Sequence, residues 1–66
     1  MPVNFAEARK YFLVAAQGGH AEAARYLGMM YMRGKGVARD KAEAAKWLRQ
    51  AVAGGDSPAG KLLELL

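Results

Sequence analysis

Apolar and small residues return every three or four positions in four stretches of the chain, each followed by glycine or a short polar turn. Ala8, Tyr11, Phe12, Ala15 and Ala16 form the first stripe, and Ala23, Ala24, Leu27, Met30 and Tyr31 the second. Ala44, Trp47, Leu48 and Ala51 form the third, and Ala59, Leu62, Leu63 and Leu66 the fourth. This spacing lays each set along one side of an α-helix. Nothing in the chain reads as a strand, so the expected class is all-α.

Start and stop signals set the limits of the four helices. Asn4 can cap the first, which runs to about Gln17 and stops at Gly18-Gly19. The second starts at or beside His20 and stops at Gly34. Asp40 caps the third, about Lys41 to Ala53, and Glu43 three residues on makes a capping-box-like pair with it. Gly54-Gly55 ends that helix as Gly18-Gly19 ended the first. Asp56 or Ser57 caps the fourth, with Pro58 in the first turn, where its missing N–H costs little.

The chain repeats itself. Shifted by 36 positions, Asn4–Met30 lie against Asp40–Leu66, and nine of the 27 pairs are identical, among them Ala8/Ala44, Ala15/Ala51, Gly18/Gly54 and Leu27/Leu63. Tyr11/Trp47, Phe12/Leu48, His20/Asp56 and Arg25/Lys61 keep size or character. A period of this length is the signature of stacked helix pairs. It divides one domain, 1–66, into repeat 1 at about 4–39 and a truncated repeat 2 at about 40–66. Small residues stand where helices should meet, and the larger Tyr11, Leu27, Met30 and Trp47 fill the remaining gaps. Gly28 costs its helix about 1 kcal/mol relative to alanine, which points to close contact with a neighbouring helix.

Composition narrows the function classes. The chain has 66 residues, no cysteine and one histidine, so neither a disulfide nor a zinc cluster can support a core this small. No apolar run approaches the roughly 18 residues of a membrane span, and Met1 to Lys10 do not read as a secretory signal. The expected location is cytoplasmic for a complete protein, with a periplasmic one open for a fragment. A formal net charge of +4 raises acidic partners, although the bases are spread over several helix faces.

Leu27, Gly28, Tyr31, Gly34, Gly36, Val37, Asp40, Ala44, Trp47, Ala51 and Gly54 resemble the Sel1-like repeat, a relative of the tetratricopeptide repeat. The family pattern L-G-x-x-Y-x-x-G-x-G-V-x-x-D-x-x-x-A-x-x-W runs through them without a gap, and at lower stringency the resemblance covers residues 4–66. It implies a right-handed solenoid of antiparallel helix pairs acting as a scaffold for protein or peptide partners, without cofactor or catalysis, in a family common in bacteria. Those members described as acting on β-lactams are cysteine-rich, unlike this chain. Glu64 stands where repeat 1 has Gly28, so the last helix is expected to cap the stack. Fewer than two full repeats also suggest a homo-oligomer or a place in a longer array.

Candidate sites follow. No catalytic set assembles: His20 aligns with Asp56 at a helix start, Ser57 is the single serine, and Glu7 and Glu43 sit in first turns, where acids suit the helix dipole. Gly28–Lys35 has five residues between its glycines, rather than the four of a phosphate loop, and no strand before it. Partner binding is expected on the exposed stripe of the first helix of each pair: Arg9 and Leu13, then Ala45, Arg49 and Val52. Self-association is assigned to Leu62, Leu65 and Leu66 on the final helix. Trp47, Tyr11 and Tyr31 are read as core rather than as an aromatic box, as is Tyr26, while Met29 or Met32 is expected at a contact surface. The alternative function is a small basic nucleic-acid binder using Arg33, Lys35, Arg39 and Lys41. No stacking aromatic or groove-reading helix accompanies that cluster.

Overall fold

In the computed structural model, which describes residues 4–66, each helix begins on a side chain that accepts a backbone N–H three residues ahead. Asn4 Oδ1 accepts from Glu7 at 3.1 Å, His20 Nδ1 from Ala23 at 3.2 Å, Asp40 Oδ1 from Glu43 at 3.1 Å and Asp56 Oδ1 from Ala59 at 3.2 Å. These caps start α1 (Phe5–Gln17), α2 (Ala21–Arg33), α3 (Lys41–Ala53) and α4 (Ser57–Glu64). There is no strand among the described residues. The capping box is only half formed: Glu43 accepts instead from Trp47 Nε1 at 3.2 Å, and the Asp40 N–H goes to the Tyr31 carbonyl at 3.0 Å.

The 36-residue period is visible in the backbone. After α1 the His20 N–H turns back to the Ala15 carbonyl at 3.0 Å, and after α3 the Asp56 N–H does the same to Ala51 at 2.9 Å. The Gly34 and Lys35 N–H groups both reach the Met30 carbonyl and end α2.

Helix α2 is the centre of the molecule, packed against α1 on one side and α3 on the other, with α4 laid on α3 and touching α2. Helices α1 and α3 do not pack directly. Their bridge is Gln50 Nε2, which donates to the Ala16 carbonyl at 2.8 Å. Six of the ten buried core residues are alanines, which lets the helix axes approach closely. At the α2–α3 crossing a Cβ on Gly28 would lie 2.8 Å from Leu48 Cγ and 3.2 Å from the Ala44 carbonyl oxygen. The close contact expected of Gly28 is therefore present.

One expectation about the core is corrected. Tyr11 is 72% exposed while its counterpart Trp47 is 6% exposed. Helix α3 is packed by both α2 and α4, whereas α1 is packed by α2 alone among the described residues. Tyr26, also read as core, is 37% exposed and stacks on Phe12 with ring centroids 5.2 Å apart.

The repeats are also joined by an ion pair. Arg25 Nε on α2 donates to Asp56 Oδ2 at 3.0 Å, with both side chains mostly buried. That hydrogen bond holds the Arg25 pKa above its ordinary value, against the opposing pull of desolvation. Asp56 thus caps α4 and ties it to α2. Asp56→Ala is expected to cost about 1–2 kcal/mol through the cap alone, measured by urea unfolding. Asp56→Asn, which keeps a capping oxygen, should cost less. Equal losses in the two variants would mean that the ion pair, and not the cap, dominates.

Candidate interaction surface

An apolar opening lies between α1 and α2, and no α3 residue lines it. It is a groove of about 290 Å³ whose walls are Phe5, Ala8 and Phe12 from α1 and Tyr26, Met29 and Met30 from α2. Arg33 and Lys35 stand at one end, and the Lys35 ammonium lies 5.8 Å from the Phe5 ring centroid. A smaller recess of about 180 Å³ continues along the same face beside Tyr11, His20 and Glu22. The α2 wall is built by the helix period: Tyr26, Met29, Met30 and Arg33 share one flank because they are three or four residues apart. Met30 is buried, while Met29 is half-buried with its thioether stem in the groove wall.

The residues that sequence assigned to partner binding and self-association do not line this groove. Arg9 and Leu13 are half-buried, and Leu13 packs against the core. Arg49 and Val52 are exposed, and Ala45 is half-buried. Leu62 on α4 and Leu66 just beyond it pack against the core, while Leu65 is 73% exposed. Arg33, Lys35, Arg39 and Lys41 are all exposed, and the first two belong to the end of the groove. The structural positions fare differently: Leu27, Gly28, Ala44, Trp47 and Ala51 are buried, and Tyr31 packs on the core. Gly54 lies so close to α2 that an added Cβ would be 2.8 Å from Ala21 Cβ.

Sequence reasoning missed the groove, the Arg25–Asp56 pair and the Gln50 bridge. Assigning Phe12 and Tyr26 to the core hid the groove. The signal for the ion pair was present, since basic residues stand at Arg25 and Lys61 and acid-or-imidazole caps at Asp56 and His20.

The Sel1 repeat family profile matches residues 1–20 and 21–56. The chain belongs to the Sel1 repeat family. In these Sel1 repeats the matched segments meet between residues 20 and 21, at the turn where the His20 cap opens α2. The chain is 38% identical over 60 residues to DAP3-binding cell death enhancer 1 of Rattus norvegicus, covering 91% of this chain and 12% of that protein. It is 39% identical over 57 residues to the Mus musculus protein of the same name, covering 86% of this chain and 11% of that one. The chain thus spans about an eighth of the length of the curated relatives it matches. Both are rodent proteins and lend no support to a bacterial source. No solved structure matches the chain. No helix among the described residues is long and apolar enough to cross a membrane.

Proposed function

We propose that this chain is a protein-interaction module that binds a helical segment of a partner on the face formed by α1 and α2. The observation that carries this reading is the apolar groove of about 290 Å³, flanked by the exposed rings of Phe5, Tyr11 and Tyr26. Apolar walls with few polar groups favour an occupant held by buried area, as in helix-in-groove recognition. Sel1 repeats generally mediate protein–protein contact, and the name of the rodent relatives describes binding to another protein. Both agree with a binding role and leave the partner open. A second reading uses the stripe of Arg9, Leu13, Ala45, Arg49 and Val52. The exposure of Arg49 and Val52 favours it, and self-association through α4 rests on Leu65.

The test is a selection of helical peptides from a displayed library against the intact chain, followed by affinity measurement on variants. Phe5→Ser with Met29→Ser removes apolar wall without changing charge and is expected to weaken the selected binders at least tenfold. Arg9→Glu with Arg49→Glu is expected to leave them unchanged. The opposite pattern would move the contact to the α1–α3 stripe. A selection that yields no binders to the folded chain would overturn the interaction reading.

A further inference from the structure

The open groove of repeat 1 has a filled counterpart in repeat 2. Ala8 and Phe12 stand 36 positions before Ala44 and Leu48, which are fully buried and meet α2 at Gly28. His20, beside the smaller recess, stands 36 positions before Asp56, which receives Arg25 of α2. What occupies this seat one repeat along is therefore a helix. Its direction is fixed as well: its first turn meets the end of α3, where Ala21 faces Gly54. Its last turn meets the start of α3, where the Tyr31 carbonyl accepts from the Asp40 N–H. The seated helix runs antiparallel to α3 and crosses it on a glycine.

Transferred by 36 positions, the same seat lies along α1 with its far end at Asn4 and Phe5. There the last turn of an occupant would meet Arg33 and Lys35, both exposed, and no acid lines that groove. The C-terminal end of a helix is itself partly negative, and acidic side chains in the last turn would strengthen the match. Glu22 and His20 line the recess at the opposite end, away from the two bases.

Resting on the interaction reading above, we infer that the groove seats an amphipathic helix of another protein. That helix carries glycine or alanine where it crosses Ala8 and Phe12, and aspartate or glutamate in its last turn. The chain's own helices are poor occupants in this register. Helix α2 ends in Arg33, which would meet Arg33 and Lys35 of the receiving copy, and α4 has Glu64 where the crossing residue must be small.

The internal template supplies the probe: a stapled, fluorescently labelled peptide copying residues 21–33. Three versions are compared: the parent, an acidic one with Met32→Glu and Arg33→Glu, and the acidic one with Gly28→Leu added. The acidic peptide is expected to bind at least about fivefold tighter than the parent, a factor in keeping with exposed ion pairs, and to lose this margin in high salt. The Gly28→Leu peptide should bind tenfold or more weakly, because a close crossing has no room for the added side chain. In the protein, Arg33→Glu with Lys35→Glu changes only exposed positions, and circular dichroism checks its fold. This swap should reverse the preference, favouring the parent peptide. Equal binding of acidic and parent peptides would overturn the inferred occupant while leaving the interaction reading standing. Binding of none of the three to a folded chain would overturn the groove as a helix seat. A dimer at micromolar concentration that excludes the acidic peptide would overturn it in favour of a second copy.

Discussion

Gly28→Ala is expected to destabilise the chain by about 1–2 kcal/mol, against the direction of helix propensity. Alanine would favour the helix by about 1 kcal/mol in an open position. Here the new methyl would sit 2.8 Å from Leu48 Cγ, 2.9 Å from Leu48 Cδ2 and 3.2 Å from the Ala44 carbonyl oxygen. Leu48 is fully buried, and Cγ is the branch point of its side chain, so the contact is relieved only by moving α2 away from α3. Overpacking of this kind costs about 1–3 kcal/mol, enough to outweigh the propensity gain. Gly28→Leu is expected to abolish folding, because a core of this size rarely supplies more than about 3–5 kcal/mol. Urea unfolding followed by helicity and by Trp47 fluorescence measures the loss. Leu48→Ala alone should cost about 2–5 kcal/mol. Combined with Gly28→Ala, the total should fall at least about 0.5 kcal/mol short of the sum, since the two side chains compete for one space. A stabilising Gly28→Ala, or strict additivity, would show that the crossing is looser than the structure has it.

The second large effect is expected at Gly36. Its φ is 77°, and a Cβ there would lie 2.7, 2.8 and 2.9 Å from Cβ, C and O of Phe5. A left-handed conformation costs an alanine about 1–2 kcal/mol. The approach to the Phe5 backbone adds a displacement that no rotamer can relieve, so Gly36→Ala should lose about 3 kcal/mol in all. Gly55 provides the control: its φ is 94° and nothing lies within 4 Å of an added Cβ. Gly55→Ala should therefore lose only the conformational part, about 1–2 kcal/mol. The difference in urea midpoint between the two variants isolates the contact of the loop with α1. If they unfold together, that contact contributes nothing to stability.

Local signals in the chain specify local structure well. Asn4, Asp40 and Asp56 cap the helices they were expected to cap, and the glycine stops fall where α1, α2 and α3 end. Capping and termination depend on residues within one turn, so sequence separation is a fair guide to them. Gly28 was also legible, because a helix-weakening residue inside a strong pattern needs a reason.

Burial was legible only where both neighbours exist. Tyr11 and Trp47 occupy one position of the repeat, yet the tryptophan, on a helix packed by two others, is buried and the tyrosine, on a helix packed by one, is open. The helix period gives the side of α1 on which Tyr11 lies, but not which helix, if any, faces it. Partner residues were the least legible for the same reason. Leu13 and Arg49 align in sequence, but the first is half-buried and the second exposed, because the two helices have different surroundings. The groove depends on α1 and α2 together, which no single stripe records.

The contact between Gly36 and Phe5 also bears on how such a chain can change length. The loop that leaves α2 comes back to rest on the first residue of α1, so the segment from 5 to 36 closes on itself in space before α3 begins. Gain or loss of one full 36-residue period would preserve that closure in every unit, since each loop would still meet the helix that opened its own pair. Gain or loss of a few residues within α1 or α2 would separate the loop from its seat. The unit that is duplicated in the sequence is thus the unit that is closed in three dimensions, and whole-repeat duplication is the length change this fold can absorb.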